Sequence, residues 1–173
     1  MSKEYLYCPF CSRHLNIKIE EHKERKFCTN CKWTHYPKPD IAVAGVAIEI
    51  GQDMKPHVLM VRRKRQPFSG TWMFPAGFLE SGEHPEEALI REVDEETGLK
   101  ATELRLLKII KAISDPRSPD HLVLFYQIKA VGEIANNDRD ENSDIEWKLI
   151  DDDVDIGFPH HRIIFNEIRS IRK

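Results

Sequence analysis

The sequence lacks the features that would place the protein in a membrane or on a large polyanion. Among its 173 residues no apolar run approaches the roughly eighteen that a membrane-spanning helix needs. The first residues, MSKEYLYC, also lack the apolar core of a secretory signal. The formal net charge is only −3, so the chain has no general attraction to nucleic acid or to anionic lipid. We expect a cytoplasmic protein with no membrane partner.

Cysteine is absent after position 31. The four cysteines form two C-x2-C pairs separated by sixteen residues: Cys8, Cys11, Cys28 and Cys31. In a cytosolic chain this spacing predicts a metal site in preference to disulfides. Four thiolates can complete the tetrahedral sphere of Zn²⁺, which indicates a structural zinc ribbon. A rubredoxin-like iron site uses similar knuckles and is the alternative.

Aliphatic residues are scarce in residues 1–36, so a bound metal must supply much of the folding free energy of this segment. Residues 15–27 alternate between apolar and polar side chains, which predicts a small hairpin. Residues 36–39, YPKP, form a stiff extended linker because each proline fixes its own φ. We therefore divide the chain into a ribbon at residues 1–36 and a second domain at residues 37–173.

Hydrophobic patterning in the second domain predicts strands and two helices. Strands are expected at residues 41–50, 57–62, 104–113, 121–131 and 145–150, and a rigid loop at 114–120. The first helix should begin near Pro85 and end at Gly98, with His84 as a poor N-cap. Its buried side should hold Ala88, Leu89 and Val93. The second helix, residues 160–172, should place four isoleucines on one side: Ile163, Ile164, Ile168 and Ile171.

Three glutamates lie within five residues of the first predicted helix. Residues three and four apart share one side of a helix, so Glu92, Glu95 and Glu96 should project from one flank. Like charges so placed repel one another and lower stability. A hard divalent cation such as Mg²⁺ or Mn²⁺ selects carboxylate oxygens and would offset this repulsion. The flank therefore indicates a site for a divalent cation.

Residues 77–99 resemble the Nudix hydrolases, whose pattern is G-x5-E-x7-R-E-U-x-E-E-x-G-U, where U is a bulky aliphatic residue. Every specified position is filled: Gly77, Glu83, Arg91, Glu92, Val93, Glu95, Glu96, Gly98 and Leu99. The resemblance implies a Nudix α/β/α sandwich with a mixed sheet, preceded here by the small zinc ribbon. It also implies hydrolysis of a pyrophosphate bond in a nucleoside diphosphate derivative, with Mg²⁺ or Mn²⁺.

The resemblance assigns roles within and around this pattern. Glu92 and Glu96 would be the principal cation ligands and Glu95 a third, and the carbonyl of Ala76 would be a further ligand. Arg91 would hold Glu83 or a ligand glutamate through a charge-assisted bond. A late acidic loop, residues 136–143, would add one more acid, for which we favour Glu141 over Asp138 and Asp140. Glu92 or an acid of this loop would be the general base. Gly77 would permit a close backbone approach.

Substrate contacts outside the pattern are predicted from the charge of arginines and from the ring chemistry of aromatic residues. Arg63 and Arg65 belong to a short basic run that leads directly into the site, so either could face a phosphate. Aromatic residues that could stack on a base are Phe68, Trp72, Phe74 and Tyr126, although each fits the core better, because aromatic side chains are mainly burial groups. Of these we select Phe74 as the stacking candidate.

The order of ribbon, YP-x-P linker and Nudix domain resembles the C-terminal part of the NADH pyrophosphatases. Those proteins carry an S-Q-P-W-P-F-P array after the box, whereas residues 111–120 here lack its aromatic residues. Pro116 lies about where ADP-ribose hydrolases tend to have a proline. We therefore expect an ADP-ribose-like or other nucleotide sugar substrate first, and NADH or NAD⁺ second, with NAD-capped RNA as a related case.

Two further hypotheses concern binding. The Nudix domain could sense a nucleotide without turnover while the ribbon contacts a partner or nucleic acid, although acidic and basic residues are mixed in the ribbon. The ribbon could also form a homodimer, as the NADH pyrophosphatase resemblance suggests. An apolar sheet face open to solvent would support that dimer.

Overall fold

The computed structural model describes residues 5–112 and 121–171. The chain forms two compact units, Met1–Pro39 and Asp40–Lys173. The rigid loop expected at residues 114–120 lies outside the described residues. No helix in the described ranges is long and apolar enough to cross a membrane.

The first unit is a three-stranded antiparallel sheet beside the cysteines. Its strands are β1 (Asn16–Glu20), β2 (Lys23–Phe27) and β3 (Thr34–His35), in the order β1-β2-β3. The predicted hairpin is confirmed, because β1 and β2 pair from Asn16 opposite Phe27 to Glu20 opposite Lys23. Among residues 5–39 of this unit, the buried cluster consists of Cys8, Leu15 and Cys28, with Cys11 and Trp33 packed against it. Such a core is too small to stabilise the unit without a metal or another staple.

The second unit is built on a seven-stranded sheet. Its strands are β4 (Asp40–Ile50), β5 (Pro56–Arg63), β6 (Trp72–Met73), β7 (Ala76–Phe78), β8 (Lys100–Lys111), β9 (His121–Val131) and β10 (Asn142–Leu149). The main order is β10-β5-β4-β9-β8, while β6 pairs with β5 and β7 pairs with β4. Strand β4 runs parallel to β9, whereas the other pairs are antiparallel, so the sheet is mixed as expected.

Two helices cover opposite faces of this sheet. Helix α1 (Pro85–Thr97) packs against a cluster that includes Val43 and Ala47, and helix α2 (Pro159–Ser170) packs against one that includes Ala44 and Val46. Successive side chains of a strand point to opposite faces, so β4 supplies both clusters. The predicted α/β/α sandwich is confirmed.

Helix α1 begins at Pro85 and ends at Gly98 (φ 72°), as predicted. His84 is a better N-cap than expected. Its Nδ1 accepts a hydrogen bond from the Glu86 N–H at 3.4 Å, and its own N–H donates to the Glu87 carboxylate at 3.0 Å. This reciprocal capping box satisfies two N–H groups that the helix start would otherwise leave unpaired.

Helix α2 differs from the prediction in which side it buries. Ile163 is 38% exposed and Ile171 is 84% exposed, although both were expected to pack with Ile164. The buried residues of α2 are His160, His161, Ile164 and Phe165. The prediction is confirmed for Ile164 and for Ile168, which packs against the same core, and is wrong for Ile163 and Ile171. The buried side also includes the two histidines, whose rings contact His121 and Phe125 of the sheet.

Candidate active site

The acidic residues of the Nudix pattern gather where α1 faces strand β7. Glu83 lies in the turn before the helix, and Glu92, Glu95 and Glu96 lie on α1 itself. The helix is held in register by Ala88, Leu89 and Val93, which are fully buried as predicted. Because these three fix the rotation of the helix, they also fix which flank carries the glutamates.

Arg91 bonds to three of these carboxylates at once. Its Nε and Nη2 donate to the two oxygens of Glu83 at 2.9 and 3.0 Å, and its Nη1 donates to Glu92 at 2.7 Å and to Glu95 at 3.2 Å. The bond between Arg91 and Glu83 that the sequence suggested is therefore present. The guanidinium holds the pKa of Glu83 down at about 2, because the carboxylate gains a bidentate cationic partner.

Glu96 is buried, at 5% exposure, whereas it was expected on the same flank as the exposed Glu95. One oxygen accepts from the Ala76 backbone N–H at 2.8 Å, and the other accepts from the Asn142 amide at 3.1 Å. Burial raises the pKa of Glu96 to about 8, and the two hydrogen bonds oppose that shift only in part. The pKa of Glu92 is raised as well, again chiefly by burial, against the opposing effect of Arg91.

Gly77 lies directly against the Glu92 carboxylate. A Cβ atom built on Gly77 would lie 2.0 Å from both Cδ and Oε1 of Glu92, which is far inside van der Waals contact. The close approach expected of Gly77 is thus an approach to a carboxylate. Only glycine leaves room for Glu92 in this position.

Glu141 lies within electrostatic reach of the site from the loop before β10. Its charge contributes to raising the pKa of both Glu92 and Glu96. In this structure its carboxylate pairs with the guanidinium of Arg65 at 2.7 Å. Both side chains of the pair are about half exposed, so Glu141 and Arg65 are brought together at the edge of the acidic cluster.

Arg63 does not occupy the position of a phosphate ligand. The residue is buried at 6% exposure, and its guanidinium donates to the carbonyls of Pro67 at 2.9 Å and Arg65 at 3.4 Å. It also lies over the ring of Phe158 at 5.2 Å. These contacts correct the expected role, because they make Arg63 a brace for the chain that carries Arg65.

Phe74 is likewise a core residue and does not line the site. It is fully buried and packs against Phe125 and His161. Trp72 and Tyr126 are also buried, at 9% and 5% exposure. The ability of their rings to stack on a base made these residues candidates, but their side chains belong to the core clusters, which corrects the expectation for Phe74.

Asn142 is a site residue that sequence reasoning missed. It is 1% exposed, begins β10, and holds Glu96 through its amide. Its own carbonyl accepts from Asn136 at 3.1 Å, and the backbone N–H of Asn142 donates to the Asp138 carbonyl at 3.0 Å. These two hydrogen bonds fix the acidic loop against the start of β10. The signal available in the sequence was an amide adjacent to the favoured acid, Glu141.

The four cysteines form a compact group in the first unit. Their sulfur atoms all lie within 4.8 Å of one another, and Cys11 and Cys28 are 3.6 Å apart. Zn–S bonds of about 2.3 Å place sulfurs roughly 3.8 Å apart in a tetrahedron, so this group fits a zinc ion. The pKa of the Cys31 thiol is raised to about 12, chiefly because the thiol form hydrogen-bonds to the Cys11 sulfur and also because burial disfavours the thiolate.

The glutamates fit a divalent cation by donor chemistry. Within the described ranges, only the cysteines form a group whose ligand atoms all lie within 4.8 Å of one another. Glu92 and Glu95 are both paired with Arg91. Even so, Glu96 is buried with a raised pKa, and Glu92 and Glu141 repel it. Carboxylates in such surroundings favour either a proton or a hard cation.

A sandwich of this topology with an acidic helix flank defines a hydrolase domain of the Nudix type. The model of the NUDIX domain matches residues 39–161, which is most of the chain. The chain therefore belongs to the Nudix family, and the prediction of a Nudix pyrophosphohydrolase is confirmed at that level.

Two curated relatives match most or all of the chain. An ADP-ribose pyrophosphatase of Methanocaldococcus jannaschii is 33% identical over 139 residues, which cover 80% of this chain and 78% of the relative. An NAD-capped RNA hydrolase, NudC, of Vibrio atlanticus is 29% identical over 100% of this chain and 61% of the relative. The chain thus spans about three fifths of that NudC.

Solved structures show the same fold. A NUDIX hydrolase from Nitrosomonas europaea superposes with a TM-score of 0.76 and 22% identity, over 97% of this chain and 92% of that one. The NUDIX domain of Shewanella oneidensis NrtR, solved in complex with ADP ribose, gives a TM-score of 0.69 and 21% identity, over 80% and 91% of the two chains. At these identities the likeness establishes the fold alone.

Proposed function

We propose that the protein hydrolyses the pyrophosphate bond of ADP-ribose or a similar nucleoside diphosphate sugar, using Mg²⁺ or Mn²⁺. The observation that carries this proposal is the acidic cluster in which Glu96 is buried with a pKa of about 8. A divalent cation would offset the cost of ionising it. The ADP-ribose pyrophosphatase relative supports the choice of substrate, since its match covers four fifths of this chain.

Glu92, Glu95 and Glu96 would hold the cation, with the Ala76 carbonyl and Glu141 as further ligands. When bound, such a cation neutralises phosphate oxygens and acidifies a water molecule for attack. Glu92 or Glu141 would accept the proton. Arg91 donates to Glu92 at 2.7 Å, and this bond would orient the Glu92 carboxylate before substrate binds.

Arg65 would bind a phosphate of the substrate. Its guanidinium is exposed, and its pair with Glu141 is an exposed ion pair worth at most about 1 kcal/mol. Separation of this pair would therefore cost little. Glu141 could then turn to the cation while Arg65 turns to the phosphate, which attracts a guanidinium at least as strongly.

A substrate panel tests the proposal. Purified protein with Mg²⁺ or Mn²⁺ should convert ADP-ribose into AMP and ribose 5-phosphate faster than it hydrolyses nucleoside triphosphates or dinucleoside polyphosphates. Glu96→Gln and Glu92→Gln should lower turnover by orders of magnitude, because each removes a cation ligand. Equal turnover in these variants and the wild type would refute the assignment of the site. Binding of ADP-ribose without turnover would favour the sensing hypothesis.

A second candidate substrate is NAD⁺, NADH or NAD-capped RNA. The observation that favours it is the match to NudC, which extends over the whole chain and so includes the ribbon. Release of nicotinamide mononucleotide in the same panel, at a higher kcat/KM than release of ribose 5-phosphate, would establish this candidate instead.

A homodimer formed through the ribbon is also proposed. Ile17 and Ile19 lie on β1 at 59% and 70% exposure, which is a large apolar surface for so small a sheet. Light scattering should give twice the mass of the 20.2 kDa chain, and Ile19→Lys should reduce it to the mass of one chain.

A further inference from the structure

The first turn of α2 contains a buried histidine with no part in the proposed chemistry. His161 is 3% exposed, and its ring stacks on that of Phe74 with 5.6 Å between centroids and 25° between planes. Its Nδ1 lies 3.2 Å from the Phe74 backbone nitrogen and accepts a hydrogen bond from that N–H. Nδ1 therefore carries a lone pair and no proton, so the hydrogen-bond geometry assigns a neutral ring protonated at Nε2.

The segment that His161 holds leads straight to the acidic cluster. Hydrogen bonds hold two peptide groups in residues 73–76. The Phe74 N–H donates to His161, and in the peptide that joins Pro75 to Ala76 the carbonyl accepts from Gly45 at 2.9 Å and the N–H donates to Glu96 at 2.8 Å. Only the Phe74–Pro75 peptide lies between them, and the proline fixes its own φ and restricts the backbone of Phe74, so few free torsions separate the two bonded groups. The position of the Ala76 N–H therefore depends on the bond at Phe74.

We propose that His161 is a positioning residue for the cation site. It fixes residues 74–76 so that the Ala76 N–H orients the Glu96 carboxylate. This inference rests on the proposed function, because it takes Glu96 as a cation ligand. His161 itself contacts neither cation nor substrate. If His161 served the core alone, its substitution would change stability and leave cation affinity unchanged. Measuring both quantities therefore distinguishes the two roles.

Two amide substitutions form the matched test. In His161→Asn the side-chain oxygen lies near the position of Nδ1 and can accept from Phe74, whereas in His161→Gln it lies near the position of Nε2 and cannot. Mn²⁺ affinity, measured by calorimetry without substrate, should fall roughly tenfold in His161→Gln and remain close to wild type in His161→Asn. His161→Phe, which keeps the ring stack but has no acceptor, should resemble His161→Gln.

Phe165→Leu is the control for lost packing, because Phe165 is buried on the same helix at 3% exposure. It should lower Tm and leave Mn²⁺ affinity unchanged. A second readout is amide hydrogen exchange at Phe74 and Ala76, which should quicken in His161→Gln more than in Phe165→Leu.

Equal Mn²⁺ affinity in His161→Gln, His161→Asn and Phe165→Leu would overturn the inference. Glu96→Gln separates this failure from failure of the proposed function. If Glu96→Gln also keeps wild-type Mn²⁺ affinity, the cation site itself is misassigned. If Glu96→Gln loses affinity while His161→Gln does not, only the role of His161 is refuted. If His161→Phe does not fold, the pair of amide variants still decides the question.

Discussion

Two glutamates of this site are placed either by the space or by the hydrogen-bond donors that neighbouring residues provide. Glu92 reaches its position because Gly77 has no side chain, and Glu96 reaches its own because Ala76 and Asn142 each offer it one N–H. The first condition concerns volume and the second concerns hydrogen bonding. They can be tested separately, because a methyl group changes only the first and a change of pH acts through the second.

Gly77→Ala should displace the Glu92 carboxylate. The added Cβ would lie 2.0 Å from it, so either the side chain or strand β7 must move. We expect Mn²⁺ affinity and turnover each to fall roughly 10- to 100-fold, as when the support of a ligand is removed. Gly82→Ala is the control, because its Cβ would meet open space and it carries only the strain of φ 87°. Unchanged Mn²⁺ affinity in Gly77→Ala would contradict the geometry.

Glu96 should make the protein less stable as pH rises when Mg²⁺ and Mn²⁺ are removed. Its pKa is about 8 in the folded state, whereas unfolded glutamates ionise near 4.3, so the folded state keeps a proton that the unfolded chain releases. This contribution to stability is complete below about pH 4 and is lost as pH rises through about 8. Glu92, whose pKa is raised too, acts in the same direction.

Urea unfolding between about pH 5 and pH 9 measures this dependence. Glu96→Gln should flatten it, and saturating Mg²⁺ should do the same in the wild type, because the cation replaces the proton. The prediction would be contradicted if the unfolding free energy of the metal-free wild type had the same pH dependence as that of Glu96→Gln. Glu96 would then be ionised in the folded protein without a cation.

Elements in this fold differ in how far local sequence determines them. The hairpin of β4 and β5 and the start of α1 at Pro85 could be predicted, because apolar patterning and a proline are local signals. The buried side of α2 could be predicted only in part. Apolar periodicity selected its isoleucines, but His160 and His161 are drawn inward by rings on distant strands. Burial of Arg63 and Asn142 depends on distant partners in the same way.

Helix α1 offers a test of the capping box that sequence reasoning undervalued. His84→Ala removes the acceptor for the Glu86 N–H and should lower the unfolding free energy by about 1 kcal/mol. His84→Ser should retain most of that stability, since serine is a favoured N-cap. Chemical denaturation of the three proteins gives the comparison. Equal stability of wild type and His84→Ala would mean that the box adds nothing to the start of the helix.

At the scale of the whole molecule, the two units gain stability from different sources. The sheet of residues 40–173 buries an apolar cluster on each face. The described part of the ribbon buries three residues in its cluster, of which two are cysteines. Hydrophobic burial can therefore stabilise the larger unit. We expect the smaller unit to need the binding free energy of a metal ion at its four cysteines.

Loss of the ribbon's metal should therefore unfold the ribbon. Metal analysis should find about one zinc per chain in the wild type and much less in Cys8→Ser, because the tetrahedral site needs all four thiolates. Amide exchange in β1 and β2 should become fast in Cys8→Ser, while exchange in β4 and β9, deep in the larger sheet, should stay slow. His22→Asn is the control: it lies in the turn between β1 and β2 at φ 63°, which asparagine tolerates, and should keep its zinc. Visible absorption from a thiolate-bound iron would establish the alternative metal. Slow exchange in β1 and β2 without any bound metal would show that the small core suffices, contrary to the argument from its size.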